Sequence, residues 1–449
     1  MYTPPKKIAE AARQLDFSQP LEFNDPRYVD TEKGRGVVNY NQLFKKMGFE
    51  LTNTSDVSLP ESGHTLFCGH IGCGKSTELR KLGEKLKRRG LFYVVFVDVA
   101  LELDTNNLQY PDLLMALAYR LCENLKNDDI EINSVFLTNL QSWFDQKIAT
   151  SETTKRFAVE LKAGIEAEAG IPFLAKLFGK LTNSLKMGTT YKEALRRVIK
   201  NHVTEFADAF HLLINAVESE TKKKGLAEKV LFIVDGTDKL SGEDSVSFFI
   251  KDANQLKSIE AHFLYGAPIH LIYSGNQVQQ RFEYFILPMI KITAKDGTKL
   301  RDGYEVMRKI VLRRADISLF ENPGTIDKII EYSGGSPREL MRLLKNAYLF
   351  AEDKFTDEAL NNGIADLATT YKRMFAFKDA SYFRILAEVD SGIEVDMGSE
   401  KVEFLLFNLA LFEYNNYFWK SHPVVRLLDS YKRAVESVQR ELSNIPSNG

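Results

Sequence analysis

Eight consecutive residues, Gly69-His70-Ile71-Gly72-Cys73-Gly74-Lys75-Ser76, carry glycines, a lysine and a hydroxyl at the spacing G-x-x-x-x-G-K-[ST]. Glycines so placed let backbone N–H groups curl around phosphate oxygens, and a helix starting where the loop ends adds the positive end of its dipole. The lysine reaches the outer phosphates of a nucleotide, and the hydroxyl takes a coordination position on Mg²⁺. Gly69, Gly72, Cys73, Gly74, Lys75, Ser76 and Thr77 are therefore the expected nucleotide-binding residues, with Ser76 also a metal ligand.

A phosphate loop of this kind needs an acidic strand beside it. Val230-Leu-Phe-Ile-Val-Asp235-Gly-Thr-Asp238 is an apolar run ending in one acid, with a second three residues on. Asp235 is expected in the Mg²⁺ shell. Asp238 has two readings: it orients or deprotonates the attacking water, or it caps the next helix. A further apolar run, His270–Ser274, ends in Ser274-Gly275-Asn276. Ligands collect at the carboxyl ends of parallel strands, so Ser274 or Asn276 is a candidate to hold that water, with an ordinary turn as the alternative.

The elements that must position these groups follow from periodicity. His64–Cys68 reads as a strand entering the loop, and Leu79, Leu82 and Leu86 place a helix over Thr77–Arg89 after it. Leu91–Ala100 reads as a buried strand, as does Val230–Asp235. Between them, successive helical windows at 112–126, 135–149, 154–168, 173–185 and 191–224 form an insertion of roughly 110 residues, too long for an unstructured loop. Strand, glycine turn, helix, strand, insertion, strand is a parallel α/β pattern. Helices are expected at Gly303–Ala315 and from Thr325 through Gly334-Gly335-Ser336-Pro337 to Phe350. Residues 371–432 read as helix, helix and an aromatic strand at Tyr417–Trp419, the order of a winged helix. The expected division is a lead-in at 1–60 broken by five prolines, an α/β core at 61–300 with the insertion at about 108–228, a helical lid at 301–368 and a winged-helix-like unit at 369–449.

Composition narrows the class. The 449 residues carry 59 basic and 61 acidic side chains, so no global basic field exists and any nucleic-acid contact must come from a local patch. Three cysteines cannot make a disulfide framework or a four-ligand zinc site. The longest stretch without Asp, Glu, Lys or Arg, Ala261–Gln280, holds two His, a Pro, an Asn and three Gln and is no membrane span. The start lacks the apolar run of a signal peptide, and a cytoplasmic protein with no integral membrane segment is expected.

Taken together, the loop, the acidic strand and the helical tail resemble the P-loop ATPases of the AAA+ and STAND superfamilies, over roughly residues 28–430. The tract Gly69–Leu79 looks like that of a group of bacterial STAND-type ATPases, in which a stretch similar to Tyr28-Val29-Asp30…Arg35-Gly36 precedes it. The resemblance implies that Tyr28 and Val29 flank the adenine, and that ATP or ADP with Mg²⁺ is the ligand. Most AAA+ proteins place Glu directly after the strand Asp; Gly236 stands there, and D-G-T-D looks more like the STAND form, which implies slow hydrolysis suited to a switch. Gly335 and Pro337 match the G-x-P nucleotide contact, and Arg338 the sensor-2 arginine that bridges a lid to the phosphates; the plain reading is a solvated first-turn arginine. His422, in Trp419-Lys-Ser-His-Pro, resembles the histidine that senses the β-phosphate of ADP, although Ser421 and Pro423 depart from the family's M-H-D; the plain reading is a packed histidine. Arg281, Arg313 and Arg314 are rivals for an arginine finger acting on a neighbouring subunit, with surface solvation as the alternative.

Weaker signals remain. Gly170–Met187 is a basic amphipathic segment that either faces a core or docks on a membrane or partner. Lys85, Lys87, Arg88, Arg89 and Lys222–Lys224 either touch a nucleic-acid backbone or solvate helix ends. The leading expectation is an ATP-binding, slowly hydrolysing switch that forms nucleotide-dependent homo-oligomers and works with a separate protein partner, as in bacterial defence or signalling modules. The competing expectation is a DNA-binding AAA+ ATPase of origin-recognition or transposition-regulator type. A small-molecule kinase is a third.

Overall fold

The computed structural model describes residues 2–36, 39–51, 57–163, 165, 168–188, 190–273, 275, 277–415 and 417–444. Five strands, β1 (Gly63–Gly69), β2 (Phe92–Asp98), β3 (Lys229–Asp235), β4 (His262–Pro268) and β5 (Glu283–Ile286), form a parallel sheet in the order β2-β3-β4-β1-β5. The chain is thus an α/β protein with the phosphate loop leaving a central strand. Helix α1 (Lys75–Arg88) starts on the loop's lysine, two residues before the expected Thr77.

Period-two alternation sorts the strand residues between the two faces. Val230, Phe232 and Val234 of β3, with Leu66 and Cys68 of β1, enter the core beneath the insertion. Leu231, Ile233 and Phe67 point the other way, against Leu79, Leu82 and Leu86 of α1 and the short helix Tyr40–Lys46. The insertion is helical throughout: α2 (Tyr110–Asn127), α3 (Ser134–Trp143) with a π turn, α4 (Lys155–Ala163), α5 (Gly170–Lys186), α6 (Lys192–Asn201) and α7 (Val203–Lys223). The expected helix 191–224 is broken at His202. The amphipathic segment 170–187 takes its plain reading. Leu174, Leu177, Phe178, Leu181 and Leu185 of α5 are buried against α2, while Lys176 pairs with Glu168 in solvent.

One strand lies elsewhere than expected. His270–Tyr273 is a single helical turn, and the strand beside β1 and β3 is His262–Pro268. Every residue of β4 is buried, and Pro268, which lacks an N–H for the ladder, closes it. Ser274 and Asn276 lie outside the described residues, so the strand end that faces the phosphate site is Pro268, six residues before Ser274.

After the sheet come α8 (Arg301–Leu312), α9 (Pro323–Ser333), α10 (Pro337–Tyr348) and α11 (Asp357–Met374). The last unit comprises α12 (Ser381–Asp390), α13 (Glu400–Phe407), the antiparallel hairpin β6 (Leu411–Tyr414)–β7 (Phe418–Ser421) and α14 (Asp429–Ser443), two helices followed by a wing. This tail does not stand apart. Phe412, Tyr414 and Phe418 of the hairpin belong to the same apolar cluster as Leu79 of α1 and Leu287 after β5. No helix among the described residues is long and apolar enough to cross a membrane.

Candidate nucleotide site

The loop between β1 and α1 turns through two left-handed glycines, Gly72 (φ 79°) and Gly74 (φ 104°), a conformation that a Cβ would strain. A side chain at Gly72 would also collide with the Cβ and Cδ of Arg338, 2.5 and 2.7 Å away. Arg338 therefore lies directly over the loop, and its backbone N–H donates to the Gly72 carbonyl. This junction with the first turn of α10 follows from Pro337 at N1, with Ser336 capping through Glu339 N.

Lys75 and Ser76 meet the two acids of β3's end. Ser76 Oγ donates to Asp235 Oδ1 at 2.9 Å, the arrangement in which a hydroxyl and a carboxylate share one Mg²⁺ shell. Lys75 Nζ lies 2.8 Å from Asp238 Oδ2 and donates to the carbonyls of Gly69 and His70. Burial works against both charges of that pair. Their mutual attraction outweighs it, holding Lys75 above and Asp238 below its ordinary pKa. Asp235 moves the other way: burial, then the neighbouring Asp238 charge, pushes it up to about 6. Asp238 does not cap a helix. Ser241 caps the next one, and Asp238 Oδ1 has no partner among the described residues. Gly236, at the position where most AAA+ proteins carry Glu, is left-handed (φ 91°), and its Cβ would stand 3.2 Å from Ala100 N. A side chain there would be strained, and the second acid near the loop lysine is Asp238.

These groups open on a cavity of about 300 Å³. Its phosphate wall is the loop from Gly72 to Thr77 with Asp235, Asp238 and Arg338. Phe17, Tyr28, Val29, Ile310 and Met341 also line it, Phe17 beside Arg338 and Tyr28 against Glu78 and Lys81 of α1. Of the expected site residues, Gly72, Cys73, Gly74, Lys75, Ser76, Thr77, Tyr28, Val29, Asp235, Asp238, Pro337 and Arg338 line this one cavity. Gly69 sits just below, its carbonyl on Lys75. Mg²⁺ fits the donor set: a hydroxyl and an ionisable buried carboxylate meet at the loop's end, and hard oxygen ligands suit that ion.

Three expected residues lie elsewhere. His422 is fully buried outside the cavity, its Nδ1 accepting from Val424 N and its Nε2 lying 3.3 Å from Glu339 Oε2. Burial lowers the imidazole's pKa against the opposing Glu339 carboxylate, and the Nε2 approach sets His422 against α10 one residue beyond Arg338. Arg281 and Arg313 are exposed. Arg314 lines the chain's own cavity instead of facing a neighbour.

Sequence reasoning missed Asp98, and gave Arg35 no role beyond its place in the stretch that runs from Tyr28 to Gly36. Asp98 ends β2 in register with Asp235, lines the cavity and caps the short helix after it; an acid at the end of an apolar strand was its signal. Arg35 is buried behind the loop. It donates to Cys73 O at 2.7 Å, to Thr31 Oγ1 at 2.9 Å and to Pro288 O, tying the phosphate loop to the end of β5. Nothing local marks that role, because its partners lie far along the chain.

No family profile matches the sequence, and no curated protein matches it. Among solved structures the chain is similar to the Walker-type ATPase PABY2304 of Pyrococcus abyssi, with TM-score 0.44 and 13% identity over 92% of this chain and 99% of that one. It is also similar to Cdc6p of Pyrobaculum aerophilum, with TM-score 0.36 and 10% identity over 95% and 98% of the two chains. A third is the Aeropyrum pernix Orc1 protein, solved in complex with DNA, with TM-score 0.33 and 11% identity over 85% and 88%. Likenesses this distant carry no argument about activity; the site's own geometry does.

Proposed function

We propose that the chain is a Mg²⁺-dependent P-loop ATPase of AAA+ kind that turns over slowly and uses its nucleotide state as a switch. The observation that carries this reading is the convergence of Ser76 and Asp235 at the end of a two-glycine loop, with Lys75 beneath and Arg338 above, on one cavity. Mg²⁺, when bound, would supply charge neutralisation toward the phosphates. The chain's own groups do the rest. Backbone N–H groups of Gly72–Ser76 cradle the phosphates, Ser76 and Asp235 hold the metal's position, and Arg338 brings α10 onto the outer phosphate. Asp238 is the candidate to orient the attacking water.

In the present arrangement Asp238 and Lys75 neutralise each other. A triphosphate must draw Lys75 off that carboxylate before Asp238 is free to act, and Gly236 offers no substitute acid. Slow turnover follows from that arrangement. The finer reading, a STAND-like switch with a separate partner in a defence or signalling module, is supported by the D-G-T-D strand end and by the C-terminal hairpin's anchorage on α10. Lys75→Ala should abolish ATP binding, whereas Asp235→Asn or Asp238→Asn should spare binding and stop turnover. ATPase activity undiminished in Lys75→Ala would overturn the assignment.

A second reading, a DNA-binding ATPase of origin-recognition type, is favoured by one surface. A groove of about 970 Å³ between the end of α11, α12 and α14 is lined by Lys372, Lys378, Arg433 and Arg384, the last paired with Glu388 and Glu441, with Asp429 the one acid among its described lining residues. ATP-dependent duplex binding that weakens steeply with salt and is lost on Lys372→Ala/Arg433→Ala would establish it over the partner-switch reading. Salt-insensitive or absent binding would remove it.

A further inference from the structure

The cavity contains a cation that the phosphate chemistry does not use. Arg314 follows α8 by two residues and is only 8% exposed. Its Nη1 donates to the carbonyls of Ile310 at 3.0 Å and Arg27 at 3.4 Å. Its Nε is buried with no partner among the described residues, and no carboxylate there comes within ion-pair distance of it. The nearby acid, Asp25, is taken by Arg27.

Two other buried arginines are more fully satisfied by the chain's own acceptors. Arg35 has three acceptors, and Arg196 has Asp112 on two of its nitrogens. A buried guanidinium without an anion is costly: burial, then the neighbouring Arg27 charge, hold Arg314 below the usual arginine range, at about 10. Such a group persists where a ligand completes it.

Its place identifies the part of the ligand it faces. The Arg27 carbonyl puts Arg314 next in space to the segment carrying Tyr28 and Val29, and Ile310, one helical turn earlier, lines the same cavity. The loop, Asp235 and Asp238 line that cavity too. A nucleotide whose phosphates lie on Lys75 and Ser76 directs its nucleoside toward Tyr28, Val29, Ile310 and Arg314. Guanidinium only donates, so it pairs with acceptors such as a ring nitrogen or a base carbonyl. We propose that Arg314 acts in cis as the specificity-determining residue for the base, donating from the lid to an acceptor on its edge. This rests on the nucleotide reading above and replaces the expectation of a finger reaching into a neighbouring subunit.

The test compares two ligands by calorimetry on the full chain: ATP and tripolyphosphate, each with Mg²⁺. Wild type should bind both, ATP more tightly. Arg314→Met should weaken ATP by roughly ten- to hundredfold, the span expected for a lost charged hydrogen bond, and leave tripolyphosphate within about twofold. The preference of wild type among ATP, GTP, CTP and UTP should narrow in the same variant. Arg314→Gln, which drops the charge but keeps an amide, repeats the comparison should the methionine variant fold poorly; thermal unfolding without ligand monitors that. Equal loss of ATP and tripolyphosphate would mean a phosphate contact or a general structural role, and would overturn the proposal. So would unchanged ATP affinity and an unchanged base preference. Wild type that binds neither ligand would overturn the nucleotide reading itself, a result distinct from wild-type binding with a silent Arg314.

Discussion

The phosphate loop has two sides built on opposite principles. On the cavity side stand Lys75, Asp235, Asp238 and Arg338, all charged or ionisable, with Lys75 and Asp238 neutralising each other at 2.8 Å. On the rear the contacts are neutral and packed. The His70 ring, held neutral because burial pushes its pKa down to about 3, accepts through Nε2 from Glu413 N at 2.7 Å and meets the Phe412 ring edge-on. A side with charges that can be repartnered responds to a polyanion; a side held by packing and a backbone hydrogen bond responds only when the loop itself moves. The rear contact reaches β6, so the C-terminal hairpin is coupled to the back of the loop through His70.

The largest expected effect is on the charged side. Lys75→Ala should raise the ATP dissociation constant more than a hundredfold in a calorimetric titration. It also strands Asp238 without a cation, a loss of about 3–5 kcal/mol for a broken buried pair. Adding Asp238→Asn to a Lys75→Met chain should recover most of that stability in urea unfolding without restoring ATP binding, which separates the site's chemistry from its stability. Next comes Asp235→Asn. Single-turnover hydrolysis should fall by roughly a hundredfold or more, about 2.7 kcal/mol, with ATP affinity changed less than about threefold.

The rear side gives smaller effects, and on stability instead of binding. Burial pushes Glu413 up to about 7, so the folded chain keeps a proton that the unfolded chain has lost. Stability should therefore fall as pH rises from about 4.5 to about 7, by about 1.4 kcal/mol per pH unit at most. Glu413→Gln should flatten that slope in denaturation curves at pH 5 and 7.5; an unchanged slope would show that another group carries it. His70→Ala should be the mildest, costing about 1–3 kcal/mol through the orphaned Glu413 N–H and lost ring packing, with ATP affinity nearly intact. An affinity loss in His70→Ala as large as that in Lys75→Ala would erase the contrast between the two sides.

What could be read from the sequence divides along the same line. The loop was legible because its glycine spacing is dictated by backbone geometry at Gly72 and Gly74, and Asp235 because a buried strand ending in an acid is a local pattern. The insertion was legible through helical periodicity, apart from its break at His202. Strand β4 was hidden because His262–Pro268 contains Gly266 and Pro268, residues that usually mark turns. Gly266 nonetheless sits in the middle of the strand, paired with Phe67 of β1, a placement visible only once the strands are paired. Arg35, with a partner 253 residues away at Pro288, and His422, resting on Glu339, depend on how distant elements dock. No spacing rule reaches that far.

The central claim is that Ser76 and Asp235 mark a Mg²⁺-nucleotide site with slow turnover. The most direct test is ATP binding and single-turnover hydrolysis followed in one sample, with and without Mg²⁺, for wild type and Asp235→Asn. Saturable binding in both proteins, with slow Mg²⁺-dependent hydrolysis in wild type alone, is the predicted result. Absence of saturable ATP binding by wild type, or equal hydrolysis in Asp235→Asn, would contradict it.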